Sequence, residues 1–214
     1  MIYPLMLLIV VLAYLYGCFS TARVITKSFR SLDIYKVGTG LADTENIYTF
    51  VSRPLGVLVG LLDIAKAYLF LQVAQILLNW VDGQGLLAGA ELLYNRNIML
   101  IYGLAMLLGH TLPITHKLRG GRGIFTYCGV IAFFAFYPML VTMLLAWLIV
   151  MFFKQIRFSQ YLIVILPVIL TQVMKSFFPQ LLGEMPDYFI TIMLGIALIM
   201  GVLNYIVSKK LGEL

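Results

Sequence analysis

Seven apolar runs, at about 2 to 22, 54 to 78, 97 to 112, 124 to 137, 138 to 153, 160 to 178 and 188 to 208, constrain this chain more than any other feature. Most of them approach the roughly 20 apolar residues that one helix needs to cross bilayer hydrocarbon. They are joined by short polar or proline-containing connections, so a chain of 214 residues has no room for a sizeable domain outside the membrane. Charged residues make up 11% of the chain, where soluble domains carry about 25%. The expectation is an all-α integral membrane protein of seven transmembrane helices, with residues 1–214 forming one domain. The fourth and fifth runs make one stretch of about thirty residues, too long for a single crossing. A turn at Tyr137-Pro138 would divide it. The first run lacks the basic start of a signal peptide and is read as a helix that stays.

Lysine and arginine in short loops set orientation. With the N-terminus outside and the C-terminus in the cytoplasm, the segments from Arg23 to Arg53, Lys117 to Arg122, Lys154 to Arg157 and Lys209 to Lys210 fall inside. They carry twelve of the fifteen lysines and arginines. The outer segments hold Arg96 and Lys175 beside Asp82, Glu91, Glu184 and Asp187, and Lys66 lies within a helix. The net charge of +6 is thereby placed on the inner surface, where it attracts anionic lipid or substrate. A nucleic-acid surface needs a basic, aromatic-lined face outside the bilayer, and no segment is long enough to build one.

Three polar features stand out from the apolar background. Gly109-His110-Thr111-Leu112-Pro113 is followed by Lys117-Leu118-Arg119-Gly120-Gly121-Arg122-Gly123, just before the fourth run. Glycines let successive backbone N–H groups turn inward as an anion nest, and the following helix adds its positive N-terminal end. A phosphate would be held there; the alternative is a basic loop that only obeys the orientation rule. Asp33 to Gly40, with Lys36, Gly38, Thr39 and Gly40, leads into Asp43, Glu45 and Asn46 on the same side. It is either a second part of the site or a solvated connection. Asp63 and Lys66 stand three apart in the second run, so they share a helix face and pair inside the bundle, as a structural pair or as part of a polar site.

No metal or cofactor is expected. His110 and His116 are the only histidines, Cys18 and Cys128 lie in apolar runs, and neither pair has ligand spacing. With no Gly-x-Ser-x-Gly elbow or Ser/His/Asp set, acyl transfer would proceed without a protein nucleophile.

On these residues the chain resembles the bacterial PlsY family of integral membrane acyl-phosphate:glycerol-3-phosphate acyltransferases, over nearly its whole length. The family pattern Gly-His-x-x-Pro through Lys-x-x-Gly-Gly-Lys-Gly-x-x-Thr is met by Gly109, His110, Pro113, Lys117, Gly120, Gly121, Arg122, Gly123 and Thr126. Gly17, Asp33-Ile34, Lys36-Val37-Gly38, Gly40, Asn46 and Leu61-Leu62-Asp63-Ile64-x-Lys66 add support. The resemblance implies a bacterial inner membrane protein that moves a fatty acyl group from acyl phosphate to glycerol 3-phosphate, giving lysophosphatidic acid for phospholipid biosynthesis. It assigns the acyl phosphate to Lys117, Arg119, Gly120, Gly121, Arg122 and Gly123. The acceptor side falls to Lys36, Gly38, Thr39, Gly40, Asn46, Asp63 and Lys66, with His110 and Pro113 as structural motif residues.

The departures cluster on the acceptor side. Thr39 stands for the family serine, Leu41 for asparagine, Asp43 for glycine, Glu45 for threonine and Thr49 for arginine. Unless a cation or partner screens them, Asp43 and Glu45 should repel a dianionic glycerol phosphate, and a phosphate clamp is lost with the arginine. An alignment that keeps Ile206 and Gly212 puts Val202 at the third-motif histidine and Tyr205 at its asparagine, leaving the catalytic residues there unassigned. Asn204 is one position off, about 100 degrees around a helix, and is not counted. The alternatives are therefore an acyltransferase with an altered acceptor, a catalytically silent lipid- or anion-binding membrane subunit with a protein partner, and a transporter with Asp63 and Lys66 on its path.

Overall fold

The computed structural model describes residues 2–210. Met1 and residues 211–214, with the alignment anchor Gly212, lie outside the described residues, as do the side chains of Leu203, Ile206, Val207, Ser208 and Lys210. Among the described residues there are helices and no strand: α1 Ile2–Gly17, α2 Thr21–Arg30, α3 Thr44–Phe50, α4 Arg53–Gly83, α5 Glu91–Tyr94, α6 Arg96–Thr111, α7 Ile124–Phe134, α8 Phe136–Phe153, α9 Ile156–Phe177 and α10 Phe189–Lys210.

Among the described residues, five helical segments are long and apolar enough to cross a membrane: 2–30, 53–83, 96–116, 136–153 and 156–177. α7 and the apolar part of α10 are shorter. Outward-facing Leu69 and Ile76 of α4, Leu144 and Trp147 of α8, and Ile165 and Ile169 of α9 are exposed, while Asp63, Lys66, His110 and Arg122 are buried. An apolar exterior with its few charged groups turned inward suits a bundle whose solvent is lipid.

Two boundaries differ from the sequence expectation. The first apolar run breaks after Gly17, because Ser20 starts a new helix by accepting the Arg23 amide at 3.2 Å. The helix it starts is amphipathic: Thr21, Ala22 and Thr26 are buried, and Arg23, Lys27 and Arg30 are exposed. The long fourth-and-fifth stretch divides at Ala135 rather than at Tyr137-Pro138. Pro138 then falls in the first turn of α8, where the missing N–H has no intrahelical partner to lose.

α7 sits in the middle, packed against α4, α6, α8 and α9. Its 11 residues span roughly 16 Å, and most are buried, including Tyr127, Cys128 and Ile131. Close helix contacts depend on small residues, as in other membrane bundles. A Cβ on Gly129 would strike the Ile64 carbonyl of α4, and one on Gly17 or Gly109 would strike the backbone across the α1–α6 seam. Tyr14 strengthens that seam by donating to the Leu112 carbonyl at 2.8 Å and accepting from the Ile114 amide at 3.2 Å. The seam fixes the end of α6, where the glycine-rich loop begins.

Candidate functional site

Three chain segments meet where α6 ends and α7 begins: the loop 112–123, the start of α3, and the first turns of α9. A small pocket lies at their junction, lined by Asp43, Thr44, Glu45, Asp63, His110, Arg122, Gly123, Ile124, Phe125 and Gln160.

One wall is a buried network on α2, α4 and α6. The Asp63 carboxylate accepts from the Thr21 hydroxyl at 2.7 Å and pairs with Lys66 at 3.0 Å. Lys66 also donates to the Phe19 carbonyl at 3.0 Å and meets His110 Nδ1 at 3.1 Å. His110 Nδ1 lies 3.8 Å from Asp63. The expected Asp63–Lys66 pair is present, and His110 belongs to it.

The glycines of the loop serve a different purpose from the expected nest. The Gly121 amide donates to the His110 carbonyl at 3.3 Å, so it is turned to the protein and not to a ligand. A Cβ on Gly120 would collide with the carbonyls of His110 and Thr111, and one on Gly121 would come within 2.8 Å of the Ala42 carbonyl and the Asp43 Cβ. These two glycines let the loop lie flat on α6 and on the segment before α3. Gly123, at φ 77°, takes the left-handed conformation at the start of α7. No side chain caps that helix, and Gly123, Ile124 and Phe125 at its start line the pocket. Arg122 is buried at the same place, while Lys117 and Arg119 are exposed and Pro113 is buried.

On the acceptor side, Asn46 is fully buried and builds the loop before it. Its Nδ2 donates to the carbonyls of Val37 at 2.9 Å and Leu41 at 2.8 Å, and its Oδ1 accepts the Thr39 amide at 3.0 Å. Gly38 and Gly40 turn that loop at φ 52° and 68°. Lys36 is exposed, 4.0 Å from Asp33. The structure therefore uses Gly38, Thr39, Gly40 and Asn46 to shape the loop; of the expected acceptor-side residues, Asp63 lines the pocket and Lys66 stands directly behind it.

The sequence reading missed the cluster opposite. Glu45 Oε2 accepts from Arg122 in a close ion pair, from Arg157 Nη1 at 3.1 Å and from Gln160 Nε2 at 2.7 Å. Asp43 caps α3 by accepting the Asn46 amide at 2.9 Å through Oδ1. Its Oδ2 accepts no hydrogen bond and lies 3.8 Å from Arg122 Nη1, and the Thr44 hydroxyl is also buried without a partner. Burial pushes the Asp43 carboxyl above its ordinary range, against the opposing pull of Arg122 and the Asn46 amide. The two carboxylates expected to repel are thus met by cations. The available signal was Arg157-x-x-Gln160, a polar pair at the mouth of α9 just before its long apolar stretch.

On α10, Val202 and Tyr205 are exposed. The buried face runs through Met193, Ile196, Met200 and Asn204, and the Asn204 Oδ1 has no partner. The position set aside in the sequence is the one facing the bundle.

A profile described as glycerol-3-phosphate acyltransferase matches residues 7–209. The glycerol-3-phosphate acyltransferase of Shouchella clausii is 33% identical over 79% of this chain and 76% of that protein. The chain belongs to the glycerol-3-phosphate acyltransferase family. The family enzyme of Thermoanaerobacter pseudethanolicus is 32% identical over a shorter stretch, 56% of this chain and 53% of that protein. The crystal structure of PlsY in its glycerol 3-phosphate form superposes with a TM-score of 0.69 at 23% identity, covering 96% of this chain and 88% of that one. The fold of that crystal structure is thus kept over nearly the whole chain.

Proposed function

We propose that this chain, as one membrane domain, transfers a fatty acyl group from acyl phosphate to a small hydroxyl acceptor at the cytoplasmic face of a bacterial inner membrane. Seven crossings with the N-terminus outside put the loop 112–123, Glu45 and Arg157 on that face, in keeping with the distribution of lysine and arginine. In this arrangement α7 is a short central crossing enclosed by its neighbours.

The observation that carries the reading is the start of α7, which has no side-chain cap and lines the pocket beside the buried Arg122. Backbone amides at a helix N-terminus and a guanidinium suit a phosphate oxygen, and the acyl chain would lie along the apolar bundle. Gly120 and Gly121 contribute by letting the loop pack close enough to bring Arg122 there. Fixed donors of this kind stabilise charge that builds on the leaving phosphate. The acceptor oxygen attacks the acyl carbon, the bond from that carbon to the phosphate oxygen breaks, and the hydroxyl proton leaves with phosphate. Glycerol 3-phosphate, giving lysophosphatidic acid, is the family's acceptor.

The test is turnover of palmitoyl phosphate by purified protein in detergent with a panel of alcohols, glycerol 3-phosphate included. Ester formation at least tenfold above a Gly121→Val control is expected, and none with any acceptor ends the reading. A second reading, a silent anion- or lipid-binding subunit with a membrane protein partner, draws support from the exposed Val202 and Tyr205.

A further inference from the structure

Arg122, Arg157 and Gln160 aim three N–H donors at one point, from the glycine-rich loop and from two turns of α9. Two guanidiniums and an amide around one oxygen form an anion receptor, the arrangement that would clamp a phosphate. Its occupant is a carboxylate of the chain itself, on the first turn of α3. Around it the pocket offers Asp43, Asp63 and two buried oxygens that accept no side-chain hydrogen bond, Asp43 Oδ2, 3.8 Å from Arg122, and Thr44 Oγ1. A hydroxyl both donates and accepts, so adjacent hydroxyls of one molecule would satisfy both atoms. With the donor's phosphate at the start of α7, a second phosphate on the acceptor would face three carboxylates and compete with Glu45 for the Arg157 and Gln160 donors.

We infer that Glu45 is a built-in counter-anion that determines acceptor specificity: it fills the receptor of Arg122, Arg157 and Gln160, so the acceptor is a polyol that carries no phosphate of its own. This rests on the acyl-transfer reading for the word acceptor, while the occupancy of the receptor stands on its own geometry. The reaction joins a polyol oxygen to the acyl carbon as an ester, breaks the acyl–phosphate bond, and releases inorganic phosphate carrying the hydroxyl proton.

The experiment compares glycerol with glycerol 3-phosphate as acceptors of palmitoyl phosphate, using the full chain in detergent as wild type, Glu45→Gln and Glu45→Thr. Wild type is expected to favour glycerol at least tenfold in kcat/KM, and both variants to shift that ratio at least tenfold toward glycerol 3-phosphate. Wild type favouring glycerol 3-phosphate, or a ratio unmoved in both variants, overturns the inference. Binding of glycerol 3-phosphate by calorimetry separates the two claims. If no variant forms ester, the acyl-transfer reading fails; a tenfold gain in binding for Glu45→Gln then upholds Glu45 as the receptor's occupant, and equal binding overturns that as well. The wild-type preference and wild-type binding need no variant to fold, and glutamine keeps the volume of the side chain it replaces.

Discussion

The two charged clusters beside the pocket differ in how they are assembled. Asp63, Lys66, Thr21 and His110 come from helices already locked side by side, and the central ion pair is buried on both sides, with 2% and 6% of its side chains exposed. Each partner has further hydrogen bonds that do not depend on a ligand. Glu45, Arg122, Arg157 and Gln160 come from loops and helix ends, Arg157 is 36% exposed, and orphaned polar atoms lie beside them. The first cluster is part of the scaffold; the second holds its charges where a ligand can rearrange them.

The sharpest way to break this comparison is to remove one member of the closed pair. Asp63→Ala leaves a buried ammonium without its counter-charge, a class of change that costs about 3–5 kcal/mol. The expected outcome is a large fall in unfolding stability in detergent, partly restored in Asp63→Ala/Lys66→Met, where neither charge is left alone. A double variant no more stable than the single one would show that the pair is not what secures α2, α4 and α6.

The open cluster should respond weakly to the same treatment. Arg157→Ala removes a partly solvated cation, and pairs of that kind contribute about 0–1 kcal/mol. A double-mutant cycle over Glu45→Gln and Arg157→Ala is expected to give a coupling below about 1 kcal/mol, well under that of the Asp63–Lys66 cycle. Equal couplings in the two cycles would erase the distinction between scaffold and site.

The same contrast explains what could be read from the sequence. Asp63 and Lys66 are three residues apart, so helical periodicity alone pairs them. Glu45 meets Arg157 and Gln160 across more than a hundred residues, and no local pattern encodes such a meeting. The apolar runs located the helices, since lipid requires continuous apolar surface. They placed the α7–α8 break two to three residues late, because proline marks the first turn of a helix as readily as the turn before it. Gly120 and Gly121 were conspicuous, but a glycine in sequence does not reveal whether it frees an amide for an anion or admits a neighbouring backbone. Here the second use holds, as the collision of a Gly120 Cβ with the His110 carbonyl shows. Asn204 was set aside as one position off the third motif, and one residue on a helix separates its buried position from the exposed Tyr205.

Asp43 tests the comparison most finely, since it has a foot in both kinds of environment. Its Oδ1 caps α3, a scaffold duty, while its buried Oδ2 is left for the pocket. Asparagine caps as well as aspartate, so Asp43→Asn keeps the first duty and removes only the charge. Because burial raises the folded pKa, the carboxyl imposes no penalty well below its ordinary value of 3.8, where both states are protonated. As pH rises, the unfolded chain ionises first; the penalty grows through the folded pKa and is complete above it. The stability of Asp43→Asn relative to wild type should therefore rise between pH 4 and pH 7, measured by thermal unfolding in detergent. Asp43→Ala should lie about 1 kcal/mol below Asp43→Asn throughout, the usual cost of a lost cap. A relative stability that instead falls with pH would mean that Arg122 outweighs the burial of the carboxylate, and Asp43 would then join the closed, ion-paired class.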